Sequence, residues 1–119
     1  MITEEELKKI IDGKYEYESK LFSELSKHGV AFRSKYFSEE MDSLLENIKD
    51  TSIYWGGGED GDIVIAKTTV PGLLVVRGDN MENPFYIPTT KEAKIVINQF
   101  KIAFGELEKI LKRHGAKNQ

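Results

Sequence analysis

Apolar positions along this chain follow two different periods, and the changes of period divide it into three parts. From Leu7 onward the spacing is helical. Leu7, Ile10 and Ile11 fall on one face, which continues through Tyr15, Glu18, Leu21, Phe22 and Leu25. Thr3 and Glu6 precede this face as a capping box, and Glu4 and Glu5 add favourable charge at the positive helix end. Gly13 costs about 1 kcal/mol relative to Ala in a helix interior. The stripe stays in phase across it, so the pattern predicts one helix from about residue 4 to 28, closed by His28-Gly29 with Gly29 in the left-handed position. Val30 to Phe37 reads either as a short helix or as a connector whose aromatics plug the core. Ser38 caps a second helix in which Met41, Leu44, Leu45 and Ile48 line one face, ending near Lys49.

Between Ser52 and Ile87 the chain turns rich in β-branched and aromatic residues and is cut by turn residues. Ile53-Tyr54-Trp55 reads as a first strand, and Gly56 to Gly61 as a flexible connection. Asp62 to Thr69 and Leu73 to Arg77 are apolar at successive positions, the mark of strands covered on both faces. Ile63, Ile65, Leu74 and Val76 are expected on one covered face, with Val64, Ala66, Leu73 and Val75 on the other. Val70-Pro71-Gly72-Leu73 fits a type II turn. Phe85-Tyr86-Ile87, hemmed by Pro84 and Pro88, reads as an edge strand because proline cannot donate to a ladder.

Helical spacing returns after Thr89-x-x-Glu92, which has the form of a second capping box. Ala93, Val96, Ile97, Phe100, Ala103, Phe104, Leu107, Ile110 and Leu111 mark one face, widened by Ile95 and Ile102. This helix is expected to run to about His114, where His114-Gly115 repeats the earlier stop signal, with a frayed tail from Ala116 to Gln119. The fold class is α+β, in a single domain over residues 1–119: two N-terminal helices, an antiparallel meander of three to four strands, and a long C-terminal helix.

Composition narrows the function classes. With no cysteine, the chain has no disulfide framework, thiolate metal site or cysteine nucleophile. No apolar run approaches the roughly 20 residues of a membrane span, and the acidic start MITEEELKK is unlike a signal peptide. The expectation is a cytoplasmic protein without membrane contact. Residues 1–50 carry 8 Lys/Arg against 12 Asp/Glu, residues 51–88 carry 2 against 5, and residues 89–119 carry 7 against 3. The basic C-terminal part lacks the dense stripe and stacking aromatics that nucleic-acid binding needs, so no nucleic-acid partner is expected.

No motif specifies a chemistry, and no catalytic residue, metal or cofactor is assigned. Both histidines precede a helix-ending glycine, where a cation suits the negative helix end. Gly56-Gly57-Gly58 is followed by a strand and by Glu59, Asp60 and Asp62, which repel phosphate, so it is no phosphate loop. The same acids lack the residue order of a calcium loop. Antiparallel neighbours would bring the connections at 56–61 and 78–84 to one end of the sheet. Glu59, Asp60, Asp62, Asp79 and Glu82 would then share a rim, with Trp55, Asn80, Asn83 and Tyr86 close by; Lys67 and Arg77 either lie elsewhere or pair with these acids.

This rim points to a non-enzymatic protein-binding module of inhibitor, immunity or phage-accessory type, with a basic partner protein. The alternative is a small-molecule binding or sequestering protein, with its pocket between sheet and helices or at a dimer interface. An enzyme built on carboxylates and Tyr would require a pocket holding a carboxylate of raised pKa. A homodimer is also expected. A helix of about 25 residues, roughly 37 Å, outruns strands of about 17–20 Å and leaves its far end to be covered.

Overall fold

Thr3 starts the first helix, α1 (Glu4–Ile11), as its side chain predicts. The hydroxyl accepts the Glu6 N–H at 3.1 Å and donates to the Glu6 carboxylate at 3.0 Å, and the Thr3 N–H donates to that carboxylate at 3.2 Å. The computed structural model describes residues 1–13, 18–32, 39–40, 43, 45, 52–56, 63–78 and 81–113, with the backbone alone described for Glu18, 52–56 and Leu111.

The expected single helix from 4 to 28 is corrected. The first helix stops at Ile11, Asp12 caps it, Gly13 lies in a bend, and a separate helix α2 runs Glu18–Ser26. Gly13 donates to the Ile10 carbonyl at 3.1 Å, which tightens the last turn. The break leaves the apolar stripe intact: Leu7 and Ile11 of α1 join Leu21 and Leu25 of α2 in one core cluster. Glu39, Glu40, Ser43 and Leu45 are helical, in agreement with the second helix read from the sequence. The rest of that helix and residues 33–37 lie outside the described residues.

Strands β1 (Ser52–Gly56), β2 (Ile63–Lys67), β3 (Leu73–Gly78) and β4 (Phe85–Pro88) form an antiparallel sheet in the order β1-β2-β3-β4. Three of them, β2 to β4, carry the described side chains of the sheet, and β1 adds along β2 with a register shift between Ser52 and Tyr54. The turn between β2 and β3 has the predicted chemistry. Leu73 N–H donates to the Val70 carbonyl at 3.0 Å, and Gly72 takes a positive φ of 83°. The Thr68 hydroxyl braces it by donating to the Leu73 carbonyl at 2.7 Å and accepting the Val70 N–H at 3.1 Å.

Successive strand residues point to opposite faces, and both faces are covered. Ile65, Leu74, Val76, Phe85 and Ile87 pack with Ile2 and the apolar faces of α1 and α2, with Ile63 half-buried beside them. Ala66, Leu73, Val75 and Tyr86 pack with Phe32, Leu45 and the last helix, α3 (Lys91–Arg113). Val64, expected on this second face, is half-buried. The sheet is thus the middle layer, with α1 and α2 on one side and α3 on the other.

The second capping box is corrected. Thr90, not Thr89, caps α3, accepting the Ala93 N–H at 3.1 Å. The Thr89 hydroxyl and N–H instead both donate to the Gly72 carbonyl at 2.7 Å, tying the start of α3 to the β2–β3 turn. His114 and the tail lie outside the described residues. Among the described residues no helix is long and apolar enough to cross a membrane.

β4 is an edge strand by sheet order, but its outer side is not open along its whole length. Val30 forms an isolated antiparallel bridge to Tyr86, with N–H···O distances of 3.0 and 2.8 Å in the two directions. Gly29 makes this approach possible. A Cβ there would lie 2.3 Å from the Tyr86 carbonyl oxygen and 2.5 Å from Ile87 Cδ1. Its φ is not positive, so the expected left-handed cap gives way to a different reason for glycine, close backbone contact.

Candidate functional site

The pairing register decides where the acid-bearing connections lie. Gly56 pairs with Ile63, and Ile63 with Gly78, so β1 ends, β2 begins and β3 ends at the same end of the sheet. The Pro71-Gly72 turn is at the opposite end. The connections that carry Glu59, Asp60 and Asp62, and Asp79, Asn80 and Glu82, therefore both leave from one end. Glu59, Asp60, Asp62, Asp79 and Asn80 themselves lie outside the described residues, as does the side chain of Trp55. Lys67 is exposed at the far end of β2, whereas Arg77 is half-buried one residue from Gly78, at the acidic end.

Of the remaining expected residues, Glu82 is exposed and Asn83 half-buried at this end. They border a hollow of about 110 Å³ together with Phe22, Ala31, Met81 and Phe85. Phe22 reaches it from α2 and Phe85 from β4, with ring centroids 6.1 Å apart and planes tilted by 40°. The Met81 N–H donates to the Gly78 carbonyl at 3.1 Å. The lining is mixed: Phe22, Ala31, Met81 and Phe85 supply apolar surface, and Glu82 and Asn83 supply polar groups. Phe22, Met81 and Phe85 were not expected as site residues. In the sequence Phe22 falls on the apolar helical face and Phe85 in the edge strand, and the packing of α2 beside β4 leaves Phe22 half-exposed here.

Tyr86 is not part of the rim. Its side chain is fully buried in the cluster under α3, with the Phe32 ring centroid 6.2 Å away. Alternation along β4 explains this: Phe85 and Ile87 face α1 and α2, so Tyr86 must face α3.

Among the described residues, Glu6 and Glu24 have pKa values lowered from the ordinary carboxylate range. Glu6 is held down first by the Thr3 hydroxyl and then by the Thr3 N–H, and Glu24 by its bond to Lys27 at 2.7 Å. These are local helix-end contacts away from the hollow. No cluster of three or more His, Cys, Asp or Glu stands ready for a metal ion among the described residues. Comparison with protein-family models, curated proteins and solved structures finds no match.

Proposed function

We propose that this chain is a non-enzymatic protein-binding module, of inhibitor, immunity or phage-accessory type, that takes a basic partner protein at the acidic end of its sheet. The observation that carries this reading is the size and chemistry of the hollow beside Glu82. At about 110 Å³ it falls well below the roughly 300 Å³ at which small-molecule pockets begin. It suits one side chain. A lysine or arginine fits such a place, its stem against Phe22 and Phe85 and its charge toward Glu82 and the acids of the neighbouring connections. Several like charges on adjacent connections raise the local potential and speed encounter with a basic surface.

The test is a triple charge swap, Glu59→Lys, Asp60→Lys and Asp79→Lys, with folding checked by circular dichroism. A partner captured at low salt is identified, and its association rate is measured by surface plasmon resonance. Slower association with the swapped protein is expected, with the difference shrinking as salt screens charges beyond about 10 Å at 0.1 M. An unchanged rate overturns the reading.

The module works as a homodimer in the cytoplasm on this proposal. The outer face of α3 supports pairing, since Ile95, Ile102 and Ile110 are 61%, 63% and 45% exposed. A monomer mass by sedimentation at micromolar concentration would remove the dimer from the proposal.

A further inference from the structure

A larger cleft lies along the β4 edge, where the two helical layers meet. It encloses about 320 Å³ and is lined by Met1, Ile2, residues 26–30, Pro88, Lys94, Ile97, Asn98 and Lys101. This volume reaches the range of small-molecule pockets, about 300–1,000 Å³. Among the described residues that line it, Lys27, Lys94 and Lys101 are the charged side chains.

Each wall has a reason to stay in place. On one side the end of α2 is fastened to β4 by the Val30–Tyr86 bridge, with Gly29 pressed on the Tyr86 carbonyl. On the other side α3 is anchored by the buried Ala93 and Ile97 and by the bonds of Thr89 to Gly72. Lys94, Asn98 and Lys101 stand four and three residues apart, so they share one helical face. Seven residues of helix separate the two lysines by about 10 Å along the axis. Lys27 is already engaged by Glu24 at 2.7 Å. Lys94 and Lys101 form no ion pair among the described residues. Two unneutralised ammonium groups thus face one cleft, which is unfavourable unless an anion or solvent answers them.

We infer that this cleft binds a small phosphorylated molecule, with its phosphate oxygens held by Lys94 and Lys101 and a polar body reaching Asn98 and the end of α2. A phosphate ester carries more than one charge and several acceptor oxygens, which matches two lysines better than a single carboxylate does. The site is separate from the acidic end of the sheet, and it stands or falls independently of the partner proposed there.

The probe is inorganic pyrophosphate, titrated against the full chain by calorimetry and by amide chemical shifts. Saturable binding is expected, with shifts concentrated at Gly29, Lys94, Asn98 and Lys101. Lys94→Glu with Lys101→Glu should weaken it by about tenfold or more, the factor one charge-assisted hydrogen bond carries. The neutral pair Lys94→Gln and Lys101→Gln should weaken it too, which separates loss of the site from repulsion. Both lysines are exposed, and circular dichroism verifies that the variants fold. Lys109→Glu with Lys112→Glu, farther along α3, should leave binding unchanged. Equal loss in that control pair, equally tight binding of citrate, or capture of phosphoinositide vesicles without binding of free pyrophosphate would each overturn the inference.

Discussion

Two glycines in this chain should respond to the same substitution with opposite signs. At Gly29→Ala the new methyl would sit 2.3 Å from the Tyr86 carbonyl oxygen, 3.0 Å from its carbon and 2.5 Å from Ile87 Cδ1. The isoleucine tip can rotate away. The carbonyl cannot move freely, because Tyr86 is paired to Val75 on one side and to Val30 on the other. Relief requires the end of α2 to withdraw from β4 by most of an ångström, loosening both hydrogen bonds of the Val30 bridge. Overpacking of this kind costs about 1–3 kcal/mol. The reduced freedom of the unfolded alanine chain returns about 0.4–1 kcal/mol, so a net loss of about 1–2 kcal/mol is expected. Gly105 lies inside α3 and is exposed, and a Cβ there meets nothing within 4 Å. Gly105→Ala should therefore stabilise by about 0.5–1 kcal/mol through helix propensity. Urea unfolding of the two variants beside the parent, monitored by far-ultraviolet circular dichroism, measures both values. A Gly29→Ala protein as stable as the parent would refute the close approach of α2 to β4.

Leu74, buried between β3 and the α1–α2 layer, should cost about 2–5 kcal/mol on change to alanine; a loss under about 1 kcal/mol in the same urea assay would mean that β3 is misplaced. Gly72→Ala should destabilise by at least about 1 kcal/mol, since the residue combines a φ of 83° with Thr90 side-chain atoms 2.5 Å from the new methyl; thermal melting checks it. Thr3→Ala should cost about 0.5–2 kcal/mol as a lost N-cap. It should also flatten the acid limb of the stability curve. Glu6 is lowered by Thr3, so its contribution is complete above the ordinary glutamate value of 4.5 and fades as pH falls below it. Unfolding measured between neutral and acid pH tests this, and an identical acid slope in parent and variant would contradict it.

Features fixed by local chemistry were legible in the sequence. The Thr3–Glu6 box, the Val70–Leu73 turn and the doubly covered β3 strand each follow from a few neighbouring side chains. Features decided by distant contacts were not. Leu7, Ile11, Leu21 and Leu25 keep helical phase although two helices supply them, because both pack on one core. Thr89 and Thr90 offer the same hydroxyl, and the Gly72 carbonyl, remote in sequence, claims the first and leaves the second to cap α3. Tyr86 reads as a rim residue until α3 is placed over the face of β4 that alternation gives it. In the candidate site, the topology foretold which connections share an end, but the hollow beside Glu82 depends on how α2 leans on Phe85. The spacing of Lys94, Asn98 and Lys101 was visible on α3, yet nothing near it in sequence points to Lys27 and His28 as the opposite wall.

The Val30–Tyr86 bridge also bears on the order in which the chain folds. The meander is built from neighbours in sequence, and such hairpins close quickly. The bridge joins segments separated by nearly half the chain, so loop closure delays it until the helices dock. During that interval the outer edge of β4 presents unpaired N–H and C=O groups, a template on which another chain can pair. With this order of events, docking of α2 would close part of that edge only late in folding. Variants that slow this docking, Gly29→Ala first among them, should lose refolding yield as protein concentration rises, even under conditions where their native state remains well populated.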